Sequence, residues 1–210
     1  LKGCFITIEG PDGAGKTSVI QALVPKLSAA LQQEVMATRE PGGSRIAEKI
    51  RELILDPEHT EMDERTEALL YAAGRRQHLV EKVIPALEQG QIVISDRFVD
   101  SSLAYQGWAR GVGMKEVAAI NAFATENMSP DLTLYLDIEA KEGLARIQKG
   151  KADRQYDRLD QEELAFHEKV RDAYLLLLKE NPERIVAIDA SQTLEKVVQE
   201  CYTVIMKQCN

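Results

Sequence analysis

The sequence predicts an α/β protein built on a five-stranded, mostly parallel sheet with helices on both faces. Two observations point there: short apolar runs alternate with longer segments of helical period, and a glycine-rich stretch joins the first run to the first helix. The 210 residues suit one α/β core and leave little room for a second. The expected strands are Cys4 to Glu9, Glu34 to Thr38, Gln91 to Ser95, Leu132 to Asp137 and Ile185 to Asp189, each bounded by turn or charged residues. Helices are expected over Lys16 to Leu31, Ser44 to Leu55, Asp63 to Gln89, Met114 to Asn127, Ala140 to Gln148, Glu162 to Asn181 and Thr193 to Gln208. Ile46, Ile50 and Ile54 form the apolar stripe of the second helix. In the third, Leu69, Ala73, Val80, Ile84 and Leu87 fall within roughly 60° at 100° per residue, which predicts its core face, while Tyr71, Arg75, His78 and Lys82 take the opposite side. Lys149 to Gln161 is charged and poor in apolar residues, as expected of a flap.

Composition narrows the function classes. Twenty-six basic against 34 acidic residues give a net charge of -8, which argues against wholesale binding of nucleic acid or an anionic membrane. Cys4, Cys201 and Cys209 lack C-x-x-C spacing, so reduced thiols are expected rather than disulfides or a zinc site. No apolar run reaches the length of a membrane span and no signal-peptide pattern opens the sequence, so a cytoplasmic enzyme is expected.

The stretch Gly10-Pro11-Asp12-Gly13-Ala14-Gly15-Lys16-Thr17 matches G-x-x-x-x-G-K-T, directly after a strand and before a helix. Glycines there let backbone N–H groups converge on a triphosphate, and the helix N-terminus adds partial positive charge. Lys16 is expected at the β and γ phosphates, with the Thr17 hydroxyl on Mg²⁺. Ser18 continues the contact. Switches, motors and kinases share such a loop. A guanine-reading switch would carry N-K-x-D, and this sequence has none.

Ligands of doubly wound sheets bind beyond the carboxyl ends of the strands. There the third strand delivers Asp96 and Arg97, suited to organising a metal or acceptor and to neutralising an acceptor phosphate. A plain ion pair capping the strand is the alternative. The second strand ends in Arg39, and Arg51 follows on the next helix. Tyr71 and Arg75, four apart, could give one base a stacking face and a donor, although a solvated or oligomer-contacting face fits the spacing equally. Ser101, Ser102, Tyr105 and Gln106 concentrate groups suited to reading a sugar or base.

The motifs G-P-D-G-A-G-K-T, T-R-E-P-G-G, Y-A-A-G-R-R, D-R-F, S-S-L-A-Y-Q-G, P-D-L-T-L-Y-L-D and D-R-L-D occur in order from about Gly3 to Ile205. In this the sequence resembles the bacterial thymidylate kinases. The resemblance implies a three-layer P-loop kinase fold, residues 1–210 forming one domain with a lid at about 146–161. It also implies transfer of a phosphoryl group from ATP to dTMP with Mg²⁺, on the route to dTTP, in a homodimer. By position, Asp12 is implied near the dTMP phosphate, sugar and metal. Arg39 and Arg97 are implied on the acceptor phosphate, with Arg51 nearby. Tyr71, where relatives commonly have Phe, is implied to stack on thymine, with Arg75 on a base carbonyl. Ser101, Ser102 and Gln106 are implied at the base edge, and Tyr105 where a ribose 2′-hydroxyl would sit. Arg146 is implied over adenine, bordered by Ala190 to Gln192. The loop holds no arginine of its own, so the missing charge is expected from the lid, with Arg154 first and Lys149, Lys151 or Arg158 in reserve. Kinases of another deoxynucleotide or deoxynucleoside, and a nucleotide-binding switch, are the alternatives.

Overall fold

The computed structural model describes residues 3–149, 158 and 162–208. Five parallel strands are ordered β2-β3-β1-β4-β5, with β1 at Cys4–Glu9, β2 at Val35–Arg39, β3 at Ile92–Asp96, β4 at Leu132–Asp137 and β5 at Ile185–Asp189. β2 and β3 start and end one residue later than expected. The last charged residue of each, Arg39 and Asp96, is register-paired with the other and so still belongs to the ladder. The sequence of β1 is almost wholly buried, as a strand covered on both faces requires. β1 lies between β3 and β4, so the loop following it opens at the middle of the sheet's carboxyl edge.

On one face α1 (Lys16–Leu31) and α9 (Leu194–Gln208) close a core around Ile6, Ile8, Leu23, Leu27, Leu134 and Ile205. Truncating a fully buried leucine such as Leu23 in such packing costs about 2–5 kcal/mol. The other face is covered by two smaller clusters. One joins Phe5, Val93 and Phe98 to the helix preceding β3, and the other joins Tyr135, Val170 and Tyr174 to the chain after β3.

The helix preceding β3 has the expected extent to within a residue at each end but turns a different face to the core than its periodicity suggests. After α2 (Arg45–Leu55), α3 (Glu64–His78) starts on Asp63, whose carboxylate accepts from the N–H groups of Arg65 and Thr66 at 3.0 Å each. It runs through a π-helical turn (Leu79–Val83) into α4 (Ile84–Glu88). The buried positions are Glu67, Ala68, Ala72, Gly74, Arg75, His78, Leu79, Val83 and Ala86, whereas Leu69 and Val80, assigned above to the core, are exposed. Two causes combine. The π turn shifts the phase after His78, and the polar stripe faces inward because each of its buried members has a partner there.

A helix that the sequence reading left unassigned follows β3: α5 (Val99–Ser102) passes directly into a π-helical segment, Leu103–Ala109. Then come α6 (Met114–Thr125), α7 (Ala140–Lys149) and α8 (Leu164–Glu180). Cys201 is buried and its thiol is pushed up to about 12, chiefly by burial, while Cys4 is half-buried. Among the described residues no helix is long and apolar enough to cross a membrane.

Candidate active site

The loop after β1 folds around its own lysine. Gly10, Gly13 and Gly15 have positive φ, and a Cβ on Gly10 would lie 2.6 Å from the Leu136 carbonyl oxygen, so no other residue fits that turn. Gly15 precedes the first turn of α1, which carries no acidic residue, leaving its partial positive charge available to an anion. The Lys16 ammonium is buried and donates to the carbonyl oxygens of Gly10 and Pro11 at 2.9 Å each. Burial, then the nearby Arg97 charge, pull it down to about 8 against the attraction of Asp12, Asp96 and Glu9.

This shift has a measurable sign. At pH 8 about half the free protein holds Lys16 neutral, and the negative charge of a bound triphosphate restores its proton. Nucleotide binding should therefore take up about half a proton at pH 8 and almost none at pH 6.5. Titration calorimetry in buffers of different ionisation enthalpy measures this, and equal uptake at both pH values would contradict it.

Asp96 and Arg97 part company at the end of β3. The Thr17 hydroxyl donates to Asp96 Oδ2 at 3.1 Å, joining the foot of the loop to the strand. Arg97 turns the other way, with φ 71°, a left-handed conformation that costs an L-residue roughly 1–2 kcal/mol. Its N–H donates to the Ile8 carbonyl oxygen at 3.0 Å, and the Ser95 hydroxyl donates to its carbonyl oxygen at 2.9 Å, which holds the turn. The guanidinium then lies against the loop: Nη2 donates to Asp12 Oδ1 at 2.6 Å and to the Tyr105 hydroxyl at 3.1 Å, and Nη1 to Gly10 O at 3.2 Å and Ser101 Oγ at 3.0 Å. Tyr105 in turn donates to Asp12 Oδ2 at 2.9 Å. Burial works against the Asp12 charge, but Arg97, Lys16 and the Tyr105 hydroxyl outweigh it and draw its carboxyl down to about 2. The Asp-Arg pair of the strand end is thus not a capping ion pair. Arg97 is bound to the acid of the loop.

Behind Arg97 lies a group that the sequence reading missed. Glu9, the last residue of β1, accepts from the Phe98 N–H at 2.6 Å, the Ser101 hydroxyl at 2.6 Å and the Tyr174 hydroxyl at 2.8 Å. Burial and the neighbouring Asp100 push it up to about 7, partly offset by the Ser101 bond and Arg97. An acid closing an otherwise apolar strand was its signal. Ser101, expected at a base edge, lies instead beside Arg97 and Glu9, next to the loop after β1.

The other end of the cleft is built on α3. Arg75 is 2% exposed and donates from Nε to Glu40 Oε2 at 2.6 Å, from Nη1 to Ser102 Oγ at 3.1 Å and to Asn121 Oδ1, and from Nη2 to Phe98 O at 2.9 Å. These bonds engage four of its five N–H groups and leave one on Nη2. Glu40 also accepts from His78 Nδ1 at 2.9 Å, and His78 Nε2 meets the Thr38 hydroxyl at 2.6 Å. Of the four residues that the periodicity placed opposite the core stripe, Arg75 and His78 therefore point into the protein, while Lys82 is exposed.

A cleft of about 670 Å³ runs between these ends. Asp12, Gly13, Gly15 to Ser18, Arg39, Arg51, Tyr71, Arg75, Asp96, Arg97, Ser101, Ser102, Tyr105, Gln106 and Arg146 all line it. Gly10 and Pro11 contribute carbonyl oxygens from behind, and Ala14 is buried in the core. Arg39 pairs with Glu48 at 2.9 Å in an exposed position, and Arg51 donates to Pro41 O at 3.0 Å. Arg146 donates to Ala190 O at 2.9 Å, which brings α7 against the turn after β5. Arg154 and Lys151 lie outside the described residues. Arg158, held in reserve as a catalytic cation, is instead buried against Glu67 and the Ile54 carbonyl oxygen, away from the loop.

A family model described as thymidylate kinase matches residues 8–201. A thymidylate kinase of Lacticaseibacillus casei is 59% identical over 208 residues, covering 99% of this chain and 97% of its own. That of Enterococcus faecalis is 58% identical over 208 residues, covering 99% and 98%. A crystal structure of thymidylate kinase from Ehrlichia chaffeensis superposes with a TM-score of 0.78 at 31% identity, covering 98% of this chain and 99% of that one. Matched along almost its whole length and folded on the same five-stranded parallel sheet, the chain belongs to the thymidylate kinase family.

Proposed function

We infer that this enzyme transfers the γ-phosphoryl group of ATP to dTMP directly, working as one domain with a lid over residues 146–161. The observation that carries the reading is the bond between Arg97 and Asp12, which sets an acceptor-side arginine against the triphosphate loop in a family of dTMP kinases. The donor phosphates lie on the backbone of Gly13 to Lys16, with Lys16 leaving its two carbonyl partners to reach them. The dTMP phosphate meets Arg97 and Arg39, with Arg51 beside it. Asp12 and Tyr105 hold the Arg97 fork in place, and Tyr105 crowds the 2′ side of the sugar. Thymine stacks on Tyr71 and meets Arg75 and Gln106. Arg146 borders the adenine.

An ionised acceptor phosphate is already a nucleophile, so no strong base is required. Catalysis rests on alignment and on neutralising charge. Thr17 and Asp96 supply hard oxygen atoms at the foot of the loop, a donor set that fits Mg²⁺, which takes few protein ligands beside phosphate and water. When bound, the ion offsets charge on the β and γ phosphates. Asp12, with Arg97 and Tyr105 on its two oxygens, serves the acceptor side first.

Coupled ADP-release assays with dTMP, dUMP, dCMP and thymidine test the acceptor assignment, and turnover that does not depend on dTMP would overturn it. Arg154 is assigned the lid charge over the transferring group. Arg154→Ala should lower kcat by about 10²-fold or more with dTMP affinity nearly unchanged. A loss confined to dTMP affinity would remove that role.

A homodimer is supported by the outward stripe of α3. Leu69 is exposed there, Val80 is exposed on the π-helical turn that follows, and Phe123 on the adjoining α6 is 89% exposed. Sedimentation velocity reads the assembly state, and a monomer at micromolar concentration would count against it. With ATP as donor, the cytoplasm is the proposed compartment.

A further inference from the structure

Gln106 lines the cleft yet is only 2% exposed, and its Nε2 donates to Glu67 Oε1 at 2.8 Å. Glu67 does not line the cleft. It is 1% exposed on α3, and its other oxygen accepts from Arg158 Nη2. Arg110 Nε, buried and without a hydrogen-bond partner among the described residues, lies 3.6 Å from Glu67 Oε1. Arg158 is itself anchored by its Nε bond to the Ile54 carbonyl oxygen at 3.0 Å, where α2 ends.

A carboxylate only accepts hydrogen bonds, so it fixes which end of the neighbouring amide faces it. The nitrogen of Gln106 must point to Glu67, and the carbonyl oxygen is the end left for the cleft. That oxygen suits a pyrimidine whose ring nitrogen carries a proton, as in an imide. It opposes an aminopyrimidine, whose corresponding nitrogen presents a lone pair. We propose that Glu67 is a specificity-determining positioning residue, which sets the Gln106 amide so that imide pyrimidines are accepted and aminopyrimidines refused. This rests on the reading that places the base at Gln106.

Glu67→Gln tests it. The single carbonyl oxygen of the new amide goes to Arg158, which can only donate, and its nitrogen turns toward Gln106. The Gln106 amide then reverses and offers its nitrogen to the cleft. The ratio of kcat/KM for dCMP to that for dTMP should rise by about 10- to 100-fold, the size of one reversed buried hydrogen bond. The ratio of dUMP to dTMP, two imides, should stay constant. The exchange variant Glu67→Gln with Gln106→Glu restores an acceptor facing the base and preserves the net charge, so it should recover the original dCMP refusal. It also stands as the test if the single variant does not fold. Unchanged dCMP discrimination in Glu67→Gln, or an exchange variant that fails to recover it, overturns the proposal. Gln106→Ala separates the two levels. A raised KM for dTMP there leaves the base pocket standing whatever Glu67 does, and an unchanged KM removes the pocket reading itself and the proposal with it.

Discussion

Arg97→Ala should lower kcat/KM for dTMP by about 10²-fold or more, because it removes a charge from a desolvated phosphate site. The guanidinium does two jobs. In the proposed mechanism it meets the acceptor phosphate, and in the structure it satisfies Asp12, Gly10, Ser101 and Tyr105. Its loss therefore leaves the Asp12 charge partly buried with one fewer partner, which adds a ground-state penalty to the lost transition-state contact. Arg97→Lys keeps the charge but offers a point donor where the structure uses a planar fork, so most of the loss should persist. Steady-state kinetics with a thermal melt on each variant decide the matter. A folded Arg97→Ala enzyme with near-normal turnover would exclude this residue from the acceptor site.

Lys16→Met should reduce kcat by about 10²- to 10³-fold, the range for deleting a donor aimed at developing charge in a closed site. The substitution keeps the length of the side chain and removes its donors, so the loop can keep its shape. Two carbonyl oxygens, of Gly10 and Pro11, lose their donor and return to water or to the loop's N–H groups. The same variant should abolish the proton uptake expected at pH 8, since no other group of the loop titrates there. Retained uptake in Lys16→Met would assign the proton to a different residue, with Glu9, near 7, the first to test.

Sequence alone revealed the elements whose physics is local. The loop is defined by glycines that only one backbone shape uses, and β4 and β5 have the predicted bounds because apolar runs end on charged residues there. The inward face of α3 could not be read that way. A helical wheel treats Arg75 and His78 as solvent-facing, and only Glu40, Asn121 and Thr38, 35, 46 and 40 residues away in sequence from their partners, make their burial affordable. Glu67 escaped for the same reason, since its partners come from the π-helical segment and the chain beyond α7. Ser101 was read with its sequence neighbours as part of a base-reading cluster. In three dimensions consecutive residues of a helix point about 100° apart, so Ser101 goes to Arg97 and Ser102 to Arg75.

The π-helical stretch Leu103–Ala109 also limits what can be changed in the chain. A segment wound with i to i+5 bonds holds one residue more than an ordinary helix needs for the same path. Its backbone would accept the loss of one residue by reverting to a regular helix. The cost would fall on the side chains, because the helix beyond the deletion turns by about 100° per residue removed. A deletion on the amino-terminal side of Tyr105 would swing its hydroxyl off Asp12 and the Gln106 amide off Glu67 in one step, while leaving the fold's hydrogen bonds largely intact. Length here is a functional specification, and single-residue deletion of Leu103 or Ala104 should yield a folded but inactive protein where substitutions at the exposed Trp108 do not.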